Sequence, residues 1–366
     1  MSREEAEQKV LDGRAWSEFC DSLKQAGEVV LRSAAPQDAF NRAEGYRYLS
    51  RMLRAALESN VESGDPRFPR FYQLANDTIK IGNDNPDNIY QNVNIDGRLD
   101  YRITGTRGTV NYISFGTKAG SYATTGTLEP SGQLDADDLQ VNADGSFEII
   151  MSSTPKPGNW LPMREDSTTM IVRQTFNDRS QEIPAEITIE CLSSEGDNFL
   201  NPADIVDQLQ NSAAFVKNTA TIFADWMELY SAHINELPSD DQARCQRAGG
   251  DASIHYLQSY WKLAPDEALV VHAPKIPNCK TWNFQLSNYW MESLDYRYYK
   301  ISVNQHTASY NDDGSVTVVV AHQDPGEKYP NWLHTTGHDQ GGNLWRWVEA
   351  DEHPPVHCKV VKFADL

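Results

Sequence analysis

Residues 313–346 read DGSVTVVVAHQDPGEKYPNWLHTTGHDQGGNLWR. An Asp-Gly-Ser turn opens this stretch, an apolar run follows, and a Pro-Gly turn leads to Asn-Trp-Leu before the segment ends at Arg346. The same order of motifs occurs in residues 144–173, DGSFEIIMSSTPKPGNWLPMREDSTTMIVR, which end at Arg173. Because the motifs also keep similar spacings, the two stretches predict an internal repeat.

Both copies and their surroundings have the pattern of short antiparallel strands. An Asp-Gly pair closes a tight hairpin readily, because both residues tolerate a positive φ. Short apolar runs separated by turn residues recur at 147–151, 170–173, 186–189, 268–271, 282–286 and 316–320. Strands of this size are typical of β-sandwiches. We therefore predict two tandem antiparallel β-sandwiches of jelly-roll-like form. Since side chains alternate between the faces of a sheet, Trp345 and Trp347 share a face that Arg346 avoids.

Helical periodicity occurs in two other segments. Residues 37–60 place apolar side chains at steps of three and four, and residues 203–236 carry a wide apolar stripe. The predicted fold class is therefore α+β. The predicted boundaries are 1–80 for a helical N-terminal cap, 81–195 for the first sandwich, 196–252 for a helical connector and 253–366 for the second sandwich.

A set of short motifs characterises the second copy. They are Asp266-Glu267-Ala268-Leu269-Val270, Trp282-Asn283-Phe284-Gln285-Leu286, Asp313-Gly314-Ser315, Asp324-Pro325-Gly326 and Asn331-Trp332-Leu333. In combination they resemble a bacterial family catalogued as domain of unknown function 1214, over about residues 255–350, and the first copy is similar to it more weakly. The resemblance implies an all-β, jelly-roll-like module and brings no agreed reaction or catalytic set.

Charge and composition restrict the partners and the compartment. The chain has 366 residues, and 52 Asp and Glu against 32 Lys and Arg give a formal net charge of −20. A surface this acidic repels phosphate backbones and anionic lipids, so we expect neither nucleic acid nor membrane as a partner. The charged N-terminus has no apolar signal-peptide run, and five scattered cysteines are typical of reduced thiols. We therefore expect a cytoplasmic protein.

Histidines distinguish the second copy from the first. Residues shared by the copies are expected to be scaffold, whereas His322, Asp324 and His338 occur only in the second. Histidine titrates near neutrality and suits general acid–base chemistry. We predict a catalytic site with His338 or His322 as acid or base, Asp324 orienting the imidazole and Arg346 holding an anionic or oxygen-bearing group. The predicted reaction is hydrolysis or elimination on a small cyclic or carbohydrate-like substrate.

Metal and cofactor motifs are weak in this chain. His322, Asp324 and His338 have the residue types of a 2-His-1-carboxylate iron site, but the second histidine of such a site usually lies several strands further on. His334 and His338 are four residues apart, but the intervening Thr-Thr-Gly indicates a loop rather than a helical zinc pair. No Gly-rich phosphate loop occurs. We therefore predict no metal site and no cofactor.

Aromatic residues support two alternatives to an enzyme. They are abundant after residue 255, where core packing explains most of them and an apolar cleft explains the rest. The candidate substrate-binding residues are Trp282, Asn288, Tyr289, Asn331 and Trp332. A non-catalytic protein would hold a carbohydrate or hydrophobic ligand there. An assembly protein would pack the same face against a second copy, as a homo-oligomer.

A polar stretch, Asn83-Asp84-Asn85-Pro86-Asp87-Asn88-Ile89-Tyr90, precedes the first strand. It has two interpretations. As a structural element it is an Asx-rich turn. As a functional element it offers oxygen ligands from Asp84, Asp87 and Asn88 to a sugar or to Ca²⁺, although the spacing is not that of an EF-hand.

Overall fold

The β-strands of the computed structural model, which describes residues 1–366, form four sheets of four strands. Repeat one contains β1 (Asn88–Asn94), β2 (Tyr101–Thr106), β3 (Tyr112–Ala119), β4 (Glu129–Asp135), β5 (Ser146–Ser152), β6 (Trp160–Pro162), β7 (Ser167–Thr175) and β8 (Glu186–Cys191). Repeat two contains β9 (Ile254–Lys262), β10 (Glu267–Ala273), β11 (Thr281–Leu286), β12 (Ser302–Asn304), β13 (Val316–Ala321), β14 (Trp332–His334), β15 (Gln340–Val348) and β16 (His357–Lys362).

The two repeats have the same topology. Strand order is β1-β7-β3-β4 and β6-β5-β2-β8 in repeat one, and β9-β15-β11-β12 and β14-β13-β10-β16 in repeat two. Each order in repeat two is the order in repeat one with eight added to every strand number. The predicted tandem β-sandwich is therefore confirmed.

One detail of the predicted sheets is wrong. β6 runs parallel to β5, and β14 runs parallel to β13, whereas every other strand pair is antiparallel. The Pro-Gly loop before each short strand turns the chain back past the end of the preceding strand. Only three residues then lie beside that strand, in the same direction. The outer sheet of each sandwich is therefore mixed.

Five α-helices complete the fold. They are α1 (Arg3–Leu11), α2 (Arg14–Ala26), α3 (Ala39–Leu57), α4 (Asp204–Tyr230) and α5 (Gln242–Arg247). A 3₁₀ turn follows α2 at Gly27–Leu31, and a π turn extends α3 at Glu58–Glu62. Helix α4 packs against α2 and α3 and buries an apolar stripe between the repeats. None of the helices combines the length and apolar character that a membrane-spanning helix needs.

Each sandwich has its own core, formed by alternate residues of its strands. In repeat two, Trp282 and Trp345 stack with ring centroids 4.7 Å apart, and Trp347 lies beside them. In repeat one the corresponding core contains Val172 of β7. Arg173 and Arg346 lie next to these core residues in sequence and therefore point to the opposite faces of their sheets.

The asparagine of each Asn-Trp-Leu motif ties two backbone segments together. Asn331 accepts from the Ser309 N–H (2.7 Å) and donates to the carbonyls of Ser309 (2.7 Å) and Thr317 (3.0 Å). Asn159 makes the equivalent bonds to Gln140 and to the Glu148 carbonyl. Both residues therefore fix the strand that follows the Asp-Gly turn.

We expect Asn331→Ala to lower the free energy of unfolding by about 2–3 kcal/mol, because three hydrogen bonds are lost at a buried site. Asn159 is only half-buried, so Asn159→Ala is the matched control and should cost less. Denaturant unfolding of both variants measures the difference. Equal losses would contradict the dependence on burial.

Candidate functional site

A cavity of about 420 Å³ lies between the two sandwiches. Residues of β1, β7, β9, β15 and α4 line it. The apolar part of its wall combines aliphatic side chains with aromatic rings, among them Tyr122, Phe215, Phe223 and Trp226. The rest of the wall consists of loop residues, among them Gly82 and Gly249, and of the sheet faces that are turned away from the sandwich cores.

Polar side chains line the cavity at alternate positions of the first strand in each repeat. Strand β1 contributes Asn88, Tyr90 and Asn92, and strand β9 contributes Tyr256 and Gln258. Residues two apart on a strand share one face, which explains the pattern. The Oδ1 atom of Asn88 is buried without a hydrogen-bond partner in the protein, so it is available as an acceptor.

An arginine and a tyrosine from each repeat form a group of four in the cavity wall. In the strand register Tyr90 lies opposite Arg173, and Tyr256 lies opposite Arg346. We call these four residues the Arg–Tyr quartet. The arginines are only 8% and 4% exposed, and each interacts electrostatically with both tyrosines. The duplication therefore places two equivalent Arg–Tyr pairs in the wall of one cavity.

Both tyrosine hydroxyls of the quartet are held in the same way. The Asn85 N–H donates to the Tyr90 hydroxyl at 2.9 Å, and the Asp251 N–H donates to the Tyr256 hydroxyl at 3.1 Å. In each case the donor lies five residues before the tyrosine. Because each oxygen accepts a bond and neither hydroxyl donates to a protein group, both O–H protons are available to a ligand.

Each arginine of the quartet is covered by the loop that precedes the other repeat. Arg173 of repeat one donates to the Gly249 carbonyl, just before β9. Arg346 of repeat two donates to the Asn83 carbonyl, just before β1. A second nitrogen of Arg346 donates to the side-chain oxygen of Gln285. The loop before each repeat therefore supplies a carbonyl acceptor to the arginine of the other repeat.

The charges around the two arginines differ. The Arg173 Nη1 atom is 3.7 Å from Asp251 Oδ2, whereas no carboxylate lies within ion-pairing distance of Arg346. Burial opposes the charge of both groups. For Arg346 burial prevails and lowers the pKa, but Asp251 and nearby tyrosines outweigh it for Arg173 and raise the pKa. Asp84 and Asp87 favour the charge of Arg346 only from beyond ion-pairing distance. The direct contacts of this buried cation are carbonyl and amide oxygens.

Arg346 is the one residue of the predicted site that lines the cavity. His338 is buried elsewhere, with Nε2 2.6 Å from Glu44 Oε2 and Nδ1 3.0 Å from the Thr335 carbonyl. Asn288 donates to the same Glu44 oxygen at 3.2 Å. The structure therefore brings His338 and Asn288 together through a glutamate of α3.

None of the remaining predicted site residues lines the cavity. The His322 Nδ1 atom is 2.9 Å from the Thr335 hydroxyl, and exposed Asp324 accepts from the Gly326 N–H at 2.8 Å. Trp282 lies in the sandwich core, and Tyr289 packs against Trp290. Asn331 ties backbone segments as described, and Trp332 donates to the Ala321 carbonyl at 3.2 Å. No group of three or more His, Cys, Asp or Glu side chains is placed to hold a metal ion.

Sequence reasoning missed three members of the quartet: Tyr90, Arg173 and Tyr256. Arg173 was visible as the counterpart of Arg346, but a shared residue was interpreted as scaffold. The polar stretch before β1 gave a better signal, since Asp84 and Asn88 line the cavity. The same stretch is also an Asx turn, in which Asn85 Oδ1 accepts from the Asp87 N–H at 3.0 Å. The structural interpretation is therefore confirmed, whereas binding of a sugar or Ca²⁺ by this stretch stays a prediction.

Comparison with known proteins identifies relatives over the whole chain. The family described as "Protein of unknown function (DUF1214)" matches residues 90–176 and 262–350. The crystal structure of an uncharacterized protein from Burkholderia cenocepacia is 49% identical, covers 98% of this chain and 100% of that one, and gives a TM-score of 0.96. The VPA0106 protein from Vibrio parahaemolyticus is 13% identical over 87% of this chain and 98% of that one, with a TM-score of 0.49. No match was found among curated proteins.

We expect His338→Ala to lower the free energy of unfolding by about 3 kcal/mol, because it leaves buried Glu44 without its imidazole partner. His322→Ala is the matched control. It removes one hydrogen bond of a half-buried ring and should cost about 1 kcal/mol. Denaturant unfolding at neutral pH compares the two variants, and equal losses would contradict a stabilising His338–Glu44 pair.

Asp87 should make stability depend on pH. Burial raises the pKa of this carboxyl from 3.8 to about 6, although Asn304 and Arg179 act in the opposite direction. The folded protein therefore holds this proton more tightly, and the free energy of unfolding falls as pH rises from about 4 to about 6. Asp87→Asn should remove about 2–3 kcal/mol of that fall, since the pKa rises by about two units and one unit is about 1.4 kcal/mol. Unfolding at pH 4 and pH 7 tests this, and an unchanged pH dependence would contradict it.

Proposed function

This chain belongs to the DUF1214 family of proteins of unknown function, and we propose that it binds a small organic anion in the cavity between its two β-sandwiches. The observation that carries the proposal is Arg346, a buried guanidinium in the cavity wall with no carboxylate within ion-pairing distance. The ligand we propose has an anionic group at the Arg–Tyr quartet and an apolar or ring-shaped body against the aromatic wall.

The cost of burying charge supports an anionic ligand. A buried cation without a counter-charge is unfavourable, and a bound anion offsets part of that cost. The chain as a whole carries a net charge of −20. Two arginines in the wall of one cavity therefore form a local positive site in an acidic protein. Guanidinium groups match carboxylate oxygens well because both are planar and form parallel hydrogen bonds.

The shape of the cavity supports an organic ligand rather than a bare ion. Its volume of about 420 Å³ lies within the range of small-molecule sites, which are mostly apolar with a few polar groups that fix orientation. The aromatic rings of Phe215, Phe223 and Trp226 offer the apolar contact. The free hydroxyl protons of Tyr90 and Tyr256 offer donors beside the arginines.

Binding ranks above acid–base catalysis in this proposal. Burial raises the pKa of Tyr256 and Cys245 in the cavity wall, so both stay protonated near neutrality. Hydrolysis or elimination through His338 is the second candidate, favoured by the 2.6 Å contact that orients its imidazole against Glu44. That ring lies outside the cavity wall, and Phe40 packs against it. We place the function in the cytoplasm, because the five free cysteines suit a reducing compartment.

We expect Arg346→Met to weaken binding of ring-shaped carboxylates at least tenfold, measured by titration calorimetry with benzoate and cyclohexanecarboxylate. Benzamide, the neutral relative of benzoate, should be affected little, because only the charge–charge contact is lost. Methionine keeps apolar volume but leaves the oxygens of Asn83 and Gln285 without their donor, so the free energy of unfolding should fall by about 2–3 kcal/mol, and circular dichroism checks that the variant used for binding is folded.

Arg102→Met is the matched control for loss of an arginine. Arg102 lies on β2, away from the cavity, where it contacts Glu148 and Glu190. Its loss should leave carboxylate binding unchanged. Failure of the wild-type protein to bind any of these anions, or unchanged benzoate binding by Arg346→Met, would refute the proposed function.

A further inference from the structure

The surroundings of the two quartet arginines correspond residue by residue. Ser114 lies opposite Arg173 in its sheet, and Asn283 lies opposite Arg346. The Ser114 hydroxyl donates to Asp251 at 2.6 Å, and the Asn283 amide donates to Asn85 at 3.0 Å. Asp251 and Asn85 are also the residues whose N–H groups hold the two tyrosine hydroxyls. They are therefore equivalent positions.

At these equivalent positions one side chain is charged and the other is neutral. Asp251 is 1% exposed, and Ser114, Gln133 and the Ser253 N–H donate to its oxygens. It supplies Arg173 with a counter-charge at 3.7 Å. Asn85 is also buried, but its neutral amide supplies no counter-charge to Arg346. Arg346 is left with amide and carbonyl oxygens.

Other charges near the arginines have partners of their own. Asp84 accepts from the Ser293 hydroxyl at 2.7 Å, and Lys80 donates to that hydroxyl at 2.6 Å. Asp87 interacts electrostatically with Arg179 and to a smaller extent with Arg346. Asp84 also acts on Arg346, but neither carboxylate lies within ion-pairing distance of that guanidinium.

On the other side, Lys118 donates to the Gly250 carbonyl at 3.0 Å. Burial and the nearby Arg173 charge lower the pKa of Lys118 to about 7. At pH 8 Arg173 therefore has a counter-charge in Asp251, whereas Arg346 has no carboxylate within ion-pairing distance.

We propose that the cavity selects a monoanion and binds it in one orientation, with the negative group at Arg346 and the neutral end toward Arg173. Asp251 is then a specificity-determining residue, since its carboxylate removes the need for a second negative charge on the ligand. This inference rests on the proposed function, because it assigns an orientation within the same cavity.

Bromide soaks of crystals at pH 8, read by anomalous scattering, test the orientation without requiring the natural ligand. In the wild-type protein we expect a bromide beside Arg346 and none beside Arg173. Asp251→Asn should add a second bromide beside Arg173, because the isosteric amide leaves that guanidinium uncompensated. Asn85→Asp should remove the bromide beside Arg346 and weaken benzoate binding at least tenfold.

The outcomes separate the two proposals. No bromide in the cavity of any of the three proteins would overturn the proposed function together with this inference. Bromide beside both arginines of the wild-type protein, or beside Arg173 alone, would overturn the orientation and leave anion binding standing. If Asp251→Asn does not fold, the wild-type soak and Asn85→Asp still decide the question.

Discussion

The structure depends on two hydrogen bonds that cross between the repeats, from Arg173 to the Gly249 carbonyl and from Arg346 to the Asn83 carbonyl. A guanidinium on the sheet face that is turned toward the other repeat cannot be buried without hydrogen-bond acceptors. Each repeat places its arginine where the loop before the other repeat supplies one. Neither sandwich therefore satisfies all the donors of its own arginine, and docking of the two halves becomes a condition of burying both.

The same constraint explains why a cavity remains at the interface. Two similar sheets face each other, and helix α4 fills part of the space between them without meeting the arginines. The covering loops approach closely because of glycines. Gly82 has a φ of +59°, and a Cβ there would lie 2.6 Å from the Phe223 ring. Gly249 has a φ of +89°. Larger residues at these two positions would push the loops away from the arginines they cover.

Much of the fold could be predicted from the sequence, because it depends on local patterns. Turn motifs at matching spacings gave the repeat, and strand alternation placed Arg346 on the face opposite Trp345 and Trp347. The candidate site could not be predicted in the same way, since it depends on contacts between distant segments. His338 meets Glu44 across 294 residues, and no local pattern links the two. What lies opposite Arg346 is likewise decided by the docking of the repeats.

Residues shared by the two copies are not all scaffold, and residues found in only one copy do not all carry function. The shared asparagines Asn159 and Asn331 are scaffold, because each ties backbone segments together. The shared arginines are not scaffold alone, because a duplicated interface turns a shared residue into a pair that lines one cavity. The difference between the halves lies in the loop residue next to each arginine. Arg173 has Asp251 from the loop before repeat two, and Arg346 has Asn85 at the equivalent position before repeat one. A single carboxylate in place of an amide makes two otherwise equivalent arginines electrostatically unequal, and this asymmetry gives the cavity a direction.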